Sequence, residues 1–461
     1  MPESREGPRV PGEGARELAL KVLLDFERRD AYLNLLLSSY LGSSGLERRD
    51  RAFTTELVQG TMRMKGVLDW VLEKYSDREL DDLDTALLWI LRLSAYQMLF
   101  ISVPDHAACD QGVRMARRHL GGGGAAYANG VLRALAKGNS GMIYPDAKKD
   151  FARYLEVKYS HPRWVIDMWI DELGKERVES LCEADNVARP VCIRCNLLKI
   201  GREELASSMK ERGFDVSLSS LVPEGILLSG GGSLGATQEH EMGYFSVQDQ
   251  GSILVGHAVS PQPGMRVLDM CAAPGGKSNH LAELMRNDGR ILALDINAGR
   301  LSLLEESASR LGNTIIEARA MDAATAGNSI KERFDRVLVD APCTGLGTLS
   351  RRPDVRWRKS AGDVGRLSRL QLALLTEGAR MLQSGGLLVY STCTISRREN
   401  ELVVERFLES NPGFSLLDAG SLLPGKMNGR YLQLFPDIHG CDGVFIAVLR
   451  GQVRDSSCAK S

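Results

Sequence analysis

Between residues 266 and 392 the chain alternates short apolar runs with helical ones. "RVLDM" (266–270), "RILALD" (290–295), "IIEARAMD" (315–322), "DRVLVDAP" (335–342) and "GGLLVYST" (385–392) have the length and apolar density of buried strands. Stretches such as "KSNHLAELMRN" and "AGRLSLLEESASRLG" between them read as helices. Strands separated by helices build a doubly wound, mostly parallel sheet, an α/β Rossmann-like layer. Two of the strands run into a cysteine: Asp340 leads through Ala341 and Pro342 to Cys343, and Ser391 and Thr392 lead to Cys393. Ligands of such sheets sit at the carboxyl ends of the strands, so both thiols are expected at one crevice.

The rest of the 461 residues leaves room for further domains. Residues 15–140 repeat apolar positions at helical spacing, as in Leu18, Val22 and Phe26, which predicts an all-α bundle. Residues 150–238 mix a helix, "RWVIDMWIDELG", with the strand-like "PVCIRCNLL", and read as a small α+β module. Residues 239–450 carry the sheet. The ends, 1–14 and 451–461, are polar or rich in Pro and Gly and are expected to be disordered tails. The run at 86–101 is short and interrupted by Arg92 and Gln97, which predicts a buried helix rather than a membrane span.

A formal charge of −1 means that any nucleic acid must be met by local basic patches. Nine cysteines and the absence of an apolar leader in "MPESREGPRVPGEG" point to reduced thiols and a cytoplasmic location. Cys192 and Cys195 form a C-x-x-C, but no second pair or histidine cluster accompanies them, so no metal is expected.

The first strand leads into "CAAPGGK", Cys271, Ala272, Ala273, Pro274, Gly275, Gly276 and Lys277. The glycines let backbone approach a ligand, and the helix start favours an acceptor-rich group. Asp295, nineteen residues beyond Gly276, ends the next strand at a spacing suited to gripping ribose hydroxyls. Asp322 ends the third and is a candidate acceptor for an adenine amino group. Lys277 is placed to anchor a carboxylate, either a ligand's or that of a neighbouring aspartate. Asp340, three residues before Cys343, is a candidate hydrogen-bonding carboxyl at the same edge. Spacing alone leaves Cys343 and Cys393 equivalent.

"CAAPGGK" (271–277), "DAPCTGLGTLSRRPDVRW" (340–357) and "YSTCTISRREN" (390–400) together resemble the RNA cytosine-C5 methyltransferases of the Nop2/Sun family. The resemblance implies S-adenosylmethionine as cofactor, Cys393 as the nucleophile that adds to cytosine C6, and Cys343 in product release. It also places Asp340 in the cofactor pocket. "RCN" at 194–196 resembles the family's Arg-x-Asn signature, implying RNA contacts from Arg194 and Asn196. "RAFTTELVQGTMR" (51–63) and "ANGVLR" (128–133) resemble a NusB-type domain. That three-part layout is similar to bacterial members acting on small-subunit ribosomal RNA, although transfer RNA stays open as the substrate.

The stretch 349–369 concentrates Arg351, Arg352, Arg356, Arg358, Lys359, Arg366 and Arg369 around Trp357. Arg351, Arg352, Arg356 and Trp357 are therefore candidates to hold phosphates and stack on a base. The expected molecule is a monomeric enzyme without membrane contact. An inactive methyltransferase fold serving ribosome assembly is the main alternative, disfavoured by the intact Cys343, Cys393, Asp295 and Asp340. An amino-group methylase would show Asn/Asp-Pro-Pro-Tyr/Phe in place of "DAPC".

Overall fold

The computed structural model describes residues 13–452 apart from 30, 102, 139–141, 143 and 425–428. The expected tails lie almost wholly outside the described residues. Two compact units emerge: one of residues up to Asn186 together with Arg352–Arg358, the other of Val187–Arg351 with the chain from Lys359 onward.

The first unit is helical. Glu13–Arg28, Leu33–Ser43, Arg48–Arg63, Lys65–Leu72, Thr85–Leu99 and Asp105–Gly138 make up its larger part. Thr85–Leu99 is the central helix, and every residue from Leu87 to Met98 is buried. A helix surrounded by others must be apolar all round, which is why its sequence looked like a membrane span. Arg92, the charge within it, is satisfied by two bonds to Asp69 at 2.7 and 2.9 Å and lies 4.7 Å over the Trp89 ring. The Asp84 side chain accepts from Ala86 N and Leu87 N and so starts the helix. At Gly121 the backbone takes φ +74°, and Asp105–Gly138 is two helical runs joined at that kink.

Phe151–Lys158, Arg163–Leu173 and Lys175–Ala184 also belong to this unit, so the stretch expected as one module at 150–238 is divided between the two. So does the segment 352–358, where the residues expected to face RNA have partners within the unit. Arg356 is fully buried. Its guanidinium donates to the carbonyls of Arg63, Tyr159 and Ser160 and to Asn186 Oδ1, at 2.9–3.3 Å. Trp357 donates from Nε1 to Met62 O at 2.9 Å, with the Lys65 ammonium 4.8 Å from its ring. Arg352 stacks over Tyr32, 4.5 Å from the ring centre, and Arg358 donates to Ala31 O. These cations answer acceptors of their own unit.

The second unit holds two sheets. Strands β1 (Val191–Cys195), β2 (Phe214–Leu218), β3 (Gly225–Gly230) and β4 (Phe245–Val247) form an antiparallel sheet in the order β2-β3-β1-β4. Leu205 and Met209 of helix Arg202–Glu211 pack against Ile193, Phe214, Ile226 and Phe245. Cys192 and Cys195 fall on opposite faces of β1 and enter different apolar clusters, so they do not form a pair.

The larger sheet contains β5 (Arg266–Asp269), β6 (Arg290–Asp295), β7 (Ile316–Ala320), β8 (Phe334–Asp340), β9 (Leu382–Thr392), β10 (Phe414–Leu416), β11 (Tyr431–Gln433) and β12 (Phe445–Gly451). Its order is β10-β12-β9-β8-β5-β6-β7, with β11 paired to β12. β5 to β9 run parallel, whereas β12 is antiparallel to β9. Helices Gln250–Val259, Gly276–Leu284 and Ala298–Leu311 cover one face, and Ala361–Met381 and Glu401–Ser410 cover the other. The strand order reverses between β5 and β8, and a crevice at that switch point is where such sheets take ligands. The connection 434–444 between β11 and β12 includes the short helix Pro436–His439.

Candidate active site

The loops after β5 and β8 flank the switch point. Gly275 has φ +106°, and a Cβ there would come within 2.7 Å of the Leu304 side chain, so the turn into helix Gly276–Leu284 needs glycine. A Cβ on Gly276 would meet only Gln248, at 3.9 Å, and its backbone is open to a ligand. Asp295 is buried at the end of β6, where its two oxygens accept from Ala273 N at 3.2 Å and Asn297 N at 2.9 Å. These bonds fix the carboxylate and leave lone pairs for a diol. The next side chain, Ile296, is 77% exposed and offers an apolar face beside it. Asp322 caps the short helix after β7 by accepting from Ala324 N at 3.0 Å.

Asp269 closes β5 and was not singled out in the sequence, although the same strand-end logic that picked Asp295 applies to it. It is fully buried. Its Oδ2 accepts from Ser278 Oγ at 2.7 Å, while Oδ1 has no hydrogen-bond partner. Burial pushes its carboxyl up to about 7. An orphaned acceptor beneath the glycine turn suits a ligand with a donor group there, such as an ammonium.

Lys277 Nζ lies 2.6 Å from Asp340 Oδ2, a neighbouring aspartate. Asp340 Oδ1 accepts from Ser391 Oγ at 2.8 Å, which ties β5's loop, β8 and β9 together at one edge. Burial works against the Lys277 charge, yet Asp340, with Cys393 nearby, carries it above the usual lysine range.

The two cysteines meet. Cys343 Sγ and Cys393 Sγ are 3.2 Å apart, both half-buried, and Cys393 N donates to Cys343 Sγ at 3.3 Å. The contact with Cys393 and the surrounding burial push the Cys343 thiol well up, which favours its protonated form. Cys271, in the glycine loop, is likewise pushed up by burial, and its sulfur is inert as a nucleophile.

Behind the cysteines lies a frame that the sequence did not reveal. Glu399 is fully buried and accepts from Thr344 N at 2.9 Å, Thr344 Oγ1 at 2.5 Å and Gln371 Nε2 at 3.1 Å. Thr344 and Thr394, the residues after each cysteine, share a bond of 2.9 Å between their hydroxyls. Gly347 N donates to Cys393 O, and Gly443 N to Gly347 O. A Cβ on Gly347 would strike Gly443 O at 2.0 Å, so this crossing requires glycine.

A Bacillus subtilis protein, "Probable ribosomal RNA small subunit methyltransferase B", is 39% identical over 443 residues, covering 94% of this chain and 98% of its own. The chain belongs to the RsmB/F family. The family model "16S rRNA methyltransferase RsmB/F" matches residues 257–450, a NusB family model matches 13–137, and the RsmF/B-like ferredoxin-like domain matches 161–234. The RsmB/F architecture of helical domain, ferredoxin-like domain and methyltransferase sheet is thus present in full. The crystal structure of PH0851 superposes with a TM-score of 0.83 at 29% identity, covering 96% of this chain and 100% of that one. NSun6 from Pyrococcus horikoshii, solved with SFG, matches at 0.57 and 25% identity over 63% of this chain and 97% of its own.

Within this RsmB/F chain, the residues of "RCN" and Arg351, expected at the RNA, have protein partners. Arg194 is fully buried, with Nε and Nη2 on Glu283 at 3.0 and 2.7 Å and Nη1 on Gly276 O at 2.9 Å and on Gln248. Asn196, equally buried, donates to Gly243 O and Leu311 O. Both lock the ferredoxin-like domain to the cofactor-side helices. Arg351 bridges Asp249 at 3.1 Å and Asp442 at 3.3 Å. Arg366 and Arg369, on the helix Ala361–Met381, are the exposed cations of that basic stretch.

Proposed function

We propose that the protein transfers a methyl group from S-adenosylmethionine to C5 of a cytosine in 16S ribosomal RNA, through a covalent bond between Cys393 and cytosine C6. The observation that carries this reading is the pair of half-buried thiols at 3.2 Å, at the carboxyl ends of neighbouring parallel strands and beside the Lys277–Asp340 pair.

The residues present suit the cofactor. Gly275 and Gly276 open the backbone, Asp295 offers acceptors to the ribose, Ile296 an apolar face to the base, Asp322 an acceptor at its edge, and Asp269 an unfilled acceptor to the amino-acid end. When bound, S-adenosylmethionine supplies an electrophilic methyl. NSun6 was solved with SFG, which supports a small-molecule ligand for this fold.

Cytosine C5 is a weak nucleophile because the ring is aromatic and neutral. Addition of the Cys393 sulfur at C6 breaks the conjugation and makes C5 enamine-like. The Lys277 ammonium and the protonated Cys343 thiol both stabilise charge on that sulfur before it adds. Asp340, held by Lys277 and Ser391, is positioned between the cofactor loop and the cysteines. A base then takes the C5 proton, the electrons of that C–H bond form the C5–C6 double bond, and the C6–S bond breaks with Cys393 leaving as a thiolate. The neighbouring Cys343 thiol, 3.2 Å away, donates a hydrogen bond or its proton to that leaving sulfur. The target base must be unpaired or flipped to present C6.

The test is a Cys343→Ala protein incubated with S-adenosylmethionine and 16S ribosomal RNA fragments. A protein–RNA species should migrate slowly on a denaturing gel, and it should vanish in the Cys343→Ala/Cys393→Ala double variant. A Cys393→Ser protein that methylates RNA near the wild-type rate overturns the proposal.

A further inference from the structure

Away from the cysteines, three ligand-type side chains converge inside the second unit. Glu224 precedes β3, His257 lies near the end of helix Gln250–Val259, and His280 lies within helix Gly276–Leu284. Their ligand atoms all fall within 4.8 Å of one another. His257 Nε2 is 2.8 and 3.1 Å from the two Glu224 oxygens, and His280 Nε2 is 2.6 Å from Glu224 Oε1. The two rings meet edge to face with centres 5.2 Å apart. They are far apart in sequence, which is why no histidine spacing announced them.

His280 supplies the deciding observation. It is 1% exposed, and neither ring nitrogen makes a hydrogen bond. Nε2 comes within 2.6 Å of the carboxylate yet is not aligned to donate to it. Nδ1 lies against Gly256, where an added Cβ would sit 2.2 Å away, so no side chain can satisfy it from that side. A buried imidazole without a partner is costly. A cation between His280 Nε2, His257 Nε2 and Glu224 removes that cost, because all three atoms then present lone pairs to positive charge.

We propose that Glu224, His257 and His280 form a binding site for a divalent transition-metal ion of the zinc class. Two imidazoles and one carboxylate are a donor set that zinc accepts, with a fourth position left for water. The nearby cation, Arg194, is already neutralised by its paired bonds to Glu283. His257 is 17% exposed at its side chain and gives the ion a way in.

The ion would fasten the ferredoxin-like sheet to the helix whose first turn carries Lys277. Arg194 ties the same two parts through Gly276 O and Glu283. The role is structural, and it is independent of which nucleotide is methylated.

The experiment uses the untagged full chain, freed of metal by chelation and dialysed into chelator-free buffer. Titration with Co²⁺ should give a visible d–d absorption that saturates at one equivalent and is bleached by Zn²⁺. Zn²⁺ alone should raise the thermal midpoint of unfolding. His257→Gln, at the more exposed position, should weaken Co²⁺ binding roughly tenfold or more while the chain stays folded by circular dichroism. Glu224→Gln should do the same. Failure of the folded wild-type chain to bind either ion overturns the site. So does a cobalt spectrum dominated by thiolate charge transfer and unchanged in His257→Gln, which would place the ion on cysteines instead.

Discussion

Cys343 Sγ sits 3.2 Å from Cys393 Sγ and accepts a hydrogen bond from the Cys393 backbone N–H. The two thiols are therefore not duplicates. Contact with Cys393 and burial push the Cys343 thiol up, and the mechanism proposed above gives the attack to Cys393. Different kinetic signatures follow. Cys393→Ser should lower single-turnover methyl transfer by about 10³-fold or more, since it removes the bond-forming atom. Cys343→Ala should keep the first turnover within roughly tenfold of wild type and block the next ones. Rapid-quench measurement of tritium-labelled methyl incorporation, compared with steady-state rates, separates the two.

Asp269 gives a pH dependence with a defined sign. Its carboxyl is raised from 3.8 to about 7 by burial. Between those values the unfolded chain has released a proton that the folded chain still holds. Stability from this group is therefore complete below the unfolded value and falls as pH rises from about 4 to 7. The shift corresponds to about 4 kcal/mol at most. Asp269→Asn removes the titration and can still accept from Ser278. Its urea midpoint, relative to wild type, should climb steadily from pH 4 to pH 7 and then level off. A flat difference across that range would show that Asp269 is ionised in the folded protein.

The strands and their ends were legible because buried parallel strands are short, apolar and followed by loops of unusual composition. Cys343, Cys393, Asp295 and the glycine turn could be read in one pass along the sequence. What surrounds them could not. Glu399 reaches Thr344 from a loop 55 residues away, and Glu224 meets His257 and His280 from another sheet. Such contacts leave no local period or spacing. The partners of the basic stretch were not legible for a related reason. Charge density predicts a solvated or nucleic-acid face, but Arg351 and Arg356 serve buried acceptors contributed by distant parts of the chain. A sequence shows how many cations a loop carries, and the fold decides which of them reach solvent.

Glu399 should act as a positioning residue. It holds Thr344 by backbone and side chain, and through Gln371 it is connected to Pro342 O, so both neighbours of Cys343 hang on it. Glu399→Ala should leave RNA affinity unchanged while reducing the rate of adduct resolution by about 10²-fold, the scale of a misplacement near 1 Å. Adduct should then accumulate with Cys343 still present, visible on a denaturing gel. Glu399→Gln, which keeps an acceptor for Thr344, should recover much of the rate. Equal loss in both variants, with a lowered unfolding midpoint, would mark Glu399 as structural only.

Arg356 and Arg366 separate a buried cation from an exposed one. Arg356→Ala removes a donor from the carbonyls of Arg63, Tyr159 and Ser160 at a fully buried position. A loss of about 3–5 kcal/mol in stability is expected. The salt dependence of RNA binding should not change, because no phosphate contact is removed. Arg366→Ala and Arg369→Ala should do the reverse. Each is exposed, so stability should hold within about 0.5 kcal/mol. If these side chains meet the RNA backbone, the slope of log affinity against log salt should fall by about one for each. Filter-binding titrations across a salt series, beside urea melts of the same proteins, decide between the two classes. A salt slope reduced by Arg356→Ala at unchanged stability would return that arginine to the RNA interface.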